Sequence, residues 1–358
     1  MNDLERFHLA MQYGNVDRAP FYEFMWPTWP ETAARWATEG GYVEGKTNFG
    51  CDKWVVEFSW FWPQPPFERT VLAEDAVYET FVDPQGIVMK EFKKNPLSSM
   101  PQFISYPVKT REDFRKYWRE RMQPDLGQRM GPDWREKLRR FRNRDVPFVV
   151  IADRWGCFFG PIRIQVGVED LCTLFYDDPA FLEEMLEADA DFLIGMLSQM
   201  LEETEIDVFA FWEDMAYHTA PLISPQLARK FMLPRYRKVV DFGRSHGVRL
   251  FACDSDGNID PLIPVWMDSG IDILYPFEVQ AGMDILAVRK KYGRDLRMWG
   301  GIDKRPLTVG PGAIDKELER IKPLIDDGGY LPMLDHSATP DTPYANYCYF
   351  LDHLKKIL

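Results

Sequence analysis

The sequence predicts an α/β protein, specifically a (β/α)8 TIM barrel with a β-hairpin or lid region inserted after the second strand. Short apolar segments alternate with amphipathic ones along most of the 358-residue chain, which is typical of parallel strands covered by helices. Eight apolar segments can be counted, and a chain of this length suits eight strand–helix units. A doubly wound open sheet is the alternative. However, no Gly-x-Gly-x-x-Gly motif follows the first strand, so we expect neither NAD nor another nucleotide.

The order of the elements follows from these patterns. Strands are predicted at 20–24, 54–58, 146–152, 207–212, 248–253, 272–275, 296–299 and 330–334. Helical periodicity predicts helices at 1–16, 31–46, 112–122, 133–143, 178–203, 224–246, 259–269, 283–292, 312–327 and 342–356.

The stretch 60–120 interrupts this alternation. Pro63, Pro65 and Pro66 exclude regular structure at its beginning. The segment Asp83-Pro84-Gln85-Gly86 has the turn chemistry of a hairpin. We therefore interpret 60–120 as an insertion or lid within a single domain that spans 1–358.

Composition disfavours several classes of partner. The formal net charge is −13, whereas binding to nucleic acid or to an anionic membrane surface requires a basic excess. The N-terminal residues lack the apolar region of a secretory signal, and no stretch of 18 uncharged apolar residues predicts a membrane span. The five cysteines are scattered and form no Cys-x-x-Cys pair, so we expect reduced thiols and a cytoplasmic protein.

Ionisable side chains follow almost every predicted strand. They are Glu23, Asp153, Arg154, Glu213, Asp214, Asp254, Asp256, Glu278, Asp303, Asp335 and His336. The C-terminal ends of barrel strands form the rim that carries the active site, so we expect these groups to converge. For each residue a structural role is the alternative, as with Asp256, which could cap the helix predicted near 259. Capping does not account for Glu213, Glu278 or His336, because caps favour Ser, Thr, Asn and Asp.

Converging carboxylates support two kinds of chemistry. They can raise one another's pKa so that one acts as a general acid, and we predict catalytic roles for Glu213, Asp214, Asp256 and Asp303. They can also bind Zn²⁺ or another divalent metal, with an imidazole as nitrogen ligand. Asp254, Glu278 and His336 are the predicted metal ligands.

Aromatic residues are abundant and clustered, with 12 Trp, 15 Tyr and 25 Phe. Core packing accounts for many of them, and an aromatic-lined pocket for a small apolar substrate is the other interpretation. We predict substrate-binding roles for Glu23, Trp26, Arg154, Trp155 and Trp212.

At these residues the chain resembles the uroporphyrinogen decarboxylase superfamily, which also contains corrinoid-linked methyltransferases. The resemblance lies in Phe211-Trp212-Glu213-Asp214-Met215, Ser255-Asp256-Gly257-Asn258, the stretch 276–284, Gly300-Gly301-Ile302-Asp303-Lys304, and Gly328-Gly329-Tyr330 with Asp335-His336. It implies a (β/α)8 barrel with its cleft at the strand C-termini. Because members of the family often dimerise, a homodimer is one candidate state.

The chain departs from both branches of that superfamily. Porphyrinogen decarboxylases carry an N-terminal Arg-Gln-Ala-Gly-Arg segment whose arginines hold substrate carboxylates. The matching stretch, 23–29, is acidic and aromatic, and Trp60 stands where they have a pyrrole-binding Asp. The methyltransferases hold zinc with a His-x-Cys pair and a later Cys. Here these positions read Asp254-Ser255-Asp256 and Asp335-His336, so any metal would have oxygen and imidazole ligands.

Three functions remain open from the sequence. The first is a methyltransferase (demethylase) that moves a methyl group from a small methylated substrate, aromatic or otherwise apolar, to a corrinoid supplied by a partner protein. In it, Glu213 or Asp214 would give a proton to the leaving group. The second is decarboxylation of a carboxylated substrate anchored by Arg154, Arg163 and Lys304. The third is a non-catalytic small-molecule-binding barrel.

Overall fold

The computed structural model describes residues 1–23, 28–57, 60–94 and 100–358. Its strands are β1 (Val55–Glu57), β2 (Thr70–Glu74), β3 (Tyr78–Val82), β4 (Val88–Phe92), β5 (Gln102–Ser105), β6 (Phe148–Ile151), β7 (Ile206–Trp212), β8 (Val248–Asp254), β9 (Ile273–Tyr275), β10 (Arg297–Trp299) and β11 (Tyr330–Leu331). Its helices are α1 (Asp3–Met11), α2 (Pro30–Gly40), α3 (Arg111–Arg121), α4 (Leu126–Met130), α5 (Trp134–Arg139), α6 (Phe159–Val166), α7 (Val168–Asp177), α8 (Pro179–Leu201), α9 (Pro225–Leu227), α10 (Leu233–His246), α11 (Ile263–Asp268), α12 (Ile285–Tyr292), α13 (Pro306–Val309), α14 (Pro311–Asp327) and α15 (Tyr344–Ile357).

Seven of these strands form one parallel sheet in the order β1-β6-β7-β8-β9-β10-β11. From β6 onward each strand pairs with the next one in the chain, and helices lie between consecutive strands. This is the α/β architecture that the alternating apolar and amphipathic segments predict. The structure has strands at seven of the eight predicted positions, from β1 at 54–58 to β11 at 330–334.

The parallel sheet is curled. Its two end strands lie six strand spacings apart, which is about 29 Å in a flat sheet. Nevertheless Val56 of β1 and Leu331 of β11 belong to the same apolar cluster, together with alternate residues of the strands between them. Phe7 and Met11 of α1 are buried in that cluster, and α1 contacts the residues that precede β11, through Ala10. The helix therefore covers the N-terminal end of the curled sheet, and the opposite end remains available for a site.

The eighth predicted strand, at 20–24, is not a strand in its described part, residues 20–23. Tyr22 is nonetheless buried in the inner cluster and stacks on Trp54, with ring centroids 4.3 Å apart. The Asp52 amide donates to the Phe21 carbonyl at 2.7 Å. The described part of the chain thus forms a half-barrel, with a non-strand segment packed against its inner face.

Two helices end earlier in the structure than the sequence predicts. The helix predicted at 31–46 ends at Gly40, because Gly41 adopts a left-handed conformation with φ of +72° that terminates a helix. The helix predicted at 1–16 ends at Met11, and the following Tyr13 has a φ of +57°.

A second sheet lies between β1 and β6 in the chain. It is antiparallel, in the order β2-β3-β4-β5. The segment 83–86 joins β3 to β4, and the Asp83 carboxylate accepts hydrogen bonds from the amides of Gln85 and Ile87. That the stretch 60–120 acts as a lid inserted in a single domain stays a prediction.

Across the described ranges, no helix is both long enough and apolar enough to span a membrane.

Candidate active site

Three side chains from different strand ends meet at the C-terminal edge of the parallel sheet. Asp256 follows β8, Glu278 follows β9 and His336 follows β11. Each offers one ligand atom, and these three atoms lie within 4.8 Å of one another. His336 Nε2 lies 3.8 Å from Asp256 Oδ2. We call Asp256, Glu278 and His336 the rim cluster.

The loop after β8 is shaped so that Asp256 reaches the cluster. Gly257 has a φ of +83°, and a Cβ there would lie 2.6 Å from the Ala216 carbonyl oxygen, so only glycine fits. Its amide donates to Glu278 Oε2 at 2.9 Å. Ser255 Oγ accepts from the Met215 amide at 3.1 Å, which ties this loop to the one after β7. The sequence Ser255-Asp256-Gly257 therefore places Asp256 beside Glu278.

The surroundings of the rim cluster shift the pKa values of two of its members. Burial in the cleft raises the pKa of Asp256 well above its usual range, and the charges of Glu278 and Asp214 raise it further. The Asp256 side chain is nevertheless 39% exposed, so solvent reaches it. Burial, followed by the charge of Lys304, lowers the pKa of His336, so its imidazole is neutral at pH 7. A neutral imidazole beside two carboxylates is a set of ligands that accepts a divalent cation.

Asp335 supports the cluster from behind. Its side chain is buried, with 1% exposure. Its two oxygens accept from the amides of Val279, at 2.9 Å, and Lys304, at 3.1 Å. Asp335 thus links the loops that follow β9 and β10 next to His336. Burial raises the pKa of Asp335 to about 6.

We expect the ionisation of Asp335 to destabilise the fold as pH rises. The folded-state pKa of about 6 exceeds the usual value of 3.8, so the stabilising effect of the bound proton is lost as pH rises through this window. The wild-type free energy of unfolding should fall by about 1–2 kcal/mol between pH 5 and pH 7.5, relative to Asp335→Asn. Denaturant unfolding in chelator at both pH values measures this difference.

The exposed Asp352, substituted to Asn, is the matched control for that experiment. It should keep the wild-type dependence on pH. An Asp335→Asn protein that follows the wild-type pH dependence throughout would show that the Asp335 proton is not held more tightly in the folded state.

The predicted metal ligand Asp254 is not one of the three residues of this cluster. Glu278 and His336 are brought together with Asp256 instead. Asp254 is the last residue of β8 and is 3% exposed. Its charge helps to raise the pKa of Tyr275, after the larger effect of burial. Two residues further on, Asp256 has left the strand and reaches the cleft.

Glu213 and Asp214, the two predicted catalytic residues that follow β7, have different environments. Glu213 is fully buried and accepts hydrogen bonds from the amides of Phe158, Phe159 and Gly160. These contacts cap the first turn of α6. Asp214 has a left-handed φ of +47° and points to the cleft side, where Arg163 donates to its carboxylate at 2.9 Å.

The other predicted residues have varied surroundings. Asp303 accepts a hydrogen bond from the Arg305 guanidinium and forms an ion pair with it. Burial acts to raise the pKa of Asp303, but the hydrogen bonds and the charge of Arg305 outweigh it and lower this pKa below its usual value. Glu23 is half-buried, accepts from the Tyr347 hydroxyl of α15 at 3.2 Å, and has its pKa raised by burial. Trp155 is fully buried and stacks near Tyr117. Trp26 lies outside the described residues.

A cavity of about 620 Å³ lies between the antiparallel sheet and the edge of the curled sheet. Its walls include the predicted Arg154, Trp212 and Asp214. The remaining lining is mostly apolar: Ile87, Met89, Met100, Pro101, Phe103, Tyr106, Ile164, Val168 and Leu222, with Gln85 and Arg163. The volume suits a small organic ligand. Asp214 lines the cavity, and its charge adds to the larger effects of burial and of Glu278 that raise the pKa of Asp256, so this residue relates the cavity to the cluster.

The Trp212 ring contacts the guanidinium groups of two arginines that line this cavity. The guanidinium carbons of Arg154 and Arg163 lie 5.4 Å and 5.6 Å from the centre of its ring. Such distances are those of cation–π contacts. The indole and both guanidinium groups are therefore held together on one wall.

Sequence reasoning missed the apolar lining from the antiparallel sheet, and it gave Asp335 no specific role. Lys304 is one of the carboxylate anchors predicted for the second function, and Asp335 is one of the acids predicted to converge at the strand ends. Met89 and Phe103 gave no usable signal, because alternation along a strand does not reveal which face meets the rest of the protein.

The curled parallel sheet, with ionisable groups gathered at its C-terminal edge, defines an α/β protein of the kind that hosts enzyme sites. The family described as Uroporphyrinogen decarboxylase (URO-D) matches residues 162–357, which is more than half of the chain. The chain belongs to this superfamily, whose methyltransferase branch is part of the resemblance seen in the sequence. The prediction from the strand-end segments is confirmed.

Among solved structures, the chain is similar to a methyltransferase from Methanosarcina mazei, with 18% identity and a TM-score of 0.61. The likeness covers 98% of this chain and 97% of that one, and it supports the fold. A B12-independent methionine synthase from Shewanella sp. W3-18-1 is 12% identical, with a TM-score of 0.40 over 81% of this chain and 75% of that one. No curated protein matches the chain. The family and these structural neighbours are enzymes.

Proposed function

We propose that the protein is a methyltransferase that removes a methyl group from a small methylated, apolar or aromatic substrate and passes it to a corrinoid carried by a partner protein. One arrangement supports this proposal: the ligand atoms of the rim cluster lie within 4.8 Å of one another, and Asp214, whose charge acts on Asp256 of that cluster, lines a largely apolar cavity of about 620 Å³. The cavity accommodates an aromatic ring. The cluster then provides a polar site next to the ring's substituent.

The residues of the rim cluster fit a divalent metal such as Zn²⁺. Two carboxylates and a neutral imidazole form a three-ligand set that leaves a coordination position for substrate. A cation there would relieve the repulsion that raises the pKa of Asp256. When bound, the metal supplies Lewis-acid polarisation of the oxygen, nitrogen or sulfur that loses the methyl group.

The chain's own side chains would orient the substrate. Trp212 and the apolar lining bind the ring and exclude water from the cleft. Of the two residues predicted to give a proton to the leaving group, only Asp214 lines the cavity. We therefore assign proton delivery to Asp214 and a capping role to Glu213.

We also propose that residues 20–23 occupy the position of the remaining barrel strand. Tyr22 lies in the inner cluster, and Phe21 is bonded to Asp52, which precedes β1. These contacts support closure of an eight-unit barrel around the site.

One observation favours decarboxylation as a second candidate. Arg154 lines the cavity, and Lys304 acts on the pKa of both Asp256 and His336. Two cations at one cleft suit a carboxylated substrate, although the arginines of the porphyrinogen decarboxylases are missing here.

Incubating the Zn²⁺-loaded protein with free cob(I)alamin and a panel of O-, N- and S-methylated arenes tests the proposal. We expect the absorbance of methylcobalamin to appear with at least one arene. A parallel incubation with uroporphyrinogen tests for loss of carboxylates. Turnover of uroporphyrinogen alone would favour the second candidate, and binding of arenes without any turnover would favour a non-catalytic barrel.

A further inference from the structure

The cavity wall contains two arginines, and within the described ranges of the chain only one of them has an acidic partner. Arg163 donates to the Asp214 carbonyl oxygen at 2.7 Å and to its carboxylate at 2.9 Å. Arg154 is exposed, and no carboxylate of the described residues lies within ion-pair distance of its guanidinium. Its side chain is placed by the contact with Trp212. A cation is therefore available in an apolar cavity of a protein with a net charge of −13.

We infer that Arg154 is a specificity-determining residue, and that the substrate is an aromatic monoanion whose carboxylate pairs with Arg154. A guanidinium presents a planar pair of donors that matches a carboxylate. The cation–π contact with Trp212, at 5.4 Å from the ring centre, holds this guanidinium in the cavity wall. The apolar side chains around it, such as Met89, Phe103 and Leu222, would hold the ring that carries the carboxylate.

The charges around the cavity favour one negative charge over two. Asp214 lies in the same wall, and its charge reaches Asp256. A dianionic phosphate in this cavity would meet these acids, whereas Arg154 is the one cavity-lining arginine that has no acidic partner among the described residues. A carboxylate brings a single charge, which Arg154 neutralises.

This inference rests on the proposed function for the methyl group, but anion recognition can be tested without turnover. We would measure binding of para-methoxybenzoate and of the neutral, similarly shaped para-methoxybenzamide by calorimetry and by quenching of tryptophan fluorescence. A chelator is present throughout, so that the carboxylate cannot bind through a metal. The proteins are the wild type, Arg154→Gln, Arg154→Lys and, as a control, Arg119→Gln in the exposed face of α3.

We expect the wild type to bind the benzoate at least about tenfold more tightly than the benzamide, as for a charge-assisted hydrogen bond in a partly enclosed site. Arg154→Gln should abolish this preference, Arg154→Lys should keep part of it, and Arg119→Gln should keep all of it. Circular dichroism and thermal unfolding would show that each variant is folded.

Equal binding of the two ligands, or a preference that survives in Arg154→Gln, would overturn the inference and leave methyl transfer open. Tighter binding of para-methoxyphenyl phosphate than of the benzoate would overturn the assignment of a monoanion. A preference lost in Arg154→Gln, in a protein that never methylates cob(I)alamin, would support the inference and count against the proposed function.

Discussion

The Asp256→Asn variant should bind Zn²⁺ at least about 100-fold more weakly than the wild type. Asp256 supplies one of the three ligand atoms that lie within 4.8 Å of one another. An amide oxygen carries no charge and is a poorer ligand, so two ligands would remain. Methyl transfer should fall with metal affinity. Equilibrium titration against a competing chelator measures the affinity, and the cob(I)alamin assay measures the rate.

In the metal-free protein, Asp256→Asn should increase the free energy of unfolding relative to wild type at neutral pH, although the same substitution weakens Zn²⁺ binding. The pKa of Asp256 is raised in the folded protein, so its proton stabilises the fold at low pH and this stabilisation is lost as pH rises above the usual value of 3.8. Asn has no proton to lose. The metal-free variant should therefore gain stability relative to wild type as pH rises from 4 to 8. By contrast, Zn²⁺ at 100 times the wild-type dissociation constant should stabilise the wild type by about 2.7 kcal/mol and the variant by no more than about 0.4 kcal/mol.

Asp254→Asn is the matched comparison, because it removes a carboxylate two residues earlier. Asp254 is buried at the end of β8 and lies outside the rim cluster, so its variant should keep Zn²⁺ affinity within about threefold of wild type, well under the loss of a ligand. If Asp254→Asn loses the metal and Asp256→Asn keeps it, the ligand set proposed from the structure is wrong and the sequence-based set is right.

The difference between Asp254 and Asp256 shows how far sequence reasoning reaches into the site. The chain position of each strand end is readable from apolar periodicity, and this periodicity predicts that Glu278 and His336 both lie at strand ends. Which of several neighbouring acids leaves the strand and turns into the cleft depends on the loop conformation. Here that conformation depends on the close approach of Gly257 to Ala216, a contact between residues 41 positions apart that no local pattern encodes.

The fold was more readable than the site for a physical reason. Parallel strands are apolar on both faces, so segments such as β6 stand out in the sequence as short apolar runs. The segment at 20–23 is also a short apolar run in the sequence. Tyr22 of this segment is buried in the inner cluster, yet the segment is not a strand. Burial of side chains and pairing of strands through backbone hydrogen bonds are separate properties. An apolar run in the sequence indicates burial but not strand pairing.

Glu213→Gln should destabilise the protein by about 3–4 kcal/mol, since several hydrogen bonds to a buried charge are lost or inverted together. Three backbone amides and the Tyr236 hydroxyl donate to this carboxylate. A glutamine would turn an NH₂ group toward some of these donors and leave at least one amide without an acceptor. Denaturant unfolding measures the loss, and the exposed Glu169→Gln in α7 should stay within about 0.5 kcal/mol of wild type.

The same variant separates the two roles considered for Glu213. If it caps α6, the folded fraction of Glu213→Gln should bind Zn²⁺ and transfer methyl groups at rates close to wild type, and Tyr236→Phe should show a smaller loss of stability, about 1 kcal/mol for one hydrogen bond. If Glu213 were the proton donor, kcat would fall steeply while the free energy of unfolding changed little. Burial on every side, with all four donors already directed at the carboxylate, favours the first outcome, because a proton donor must reach the substrate.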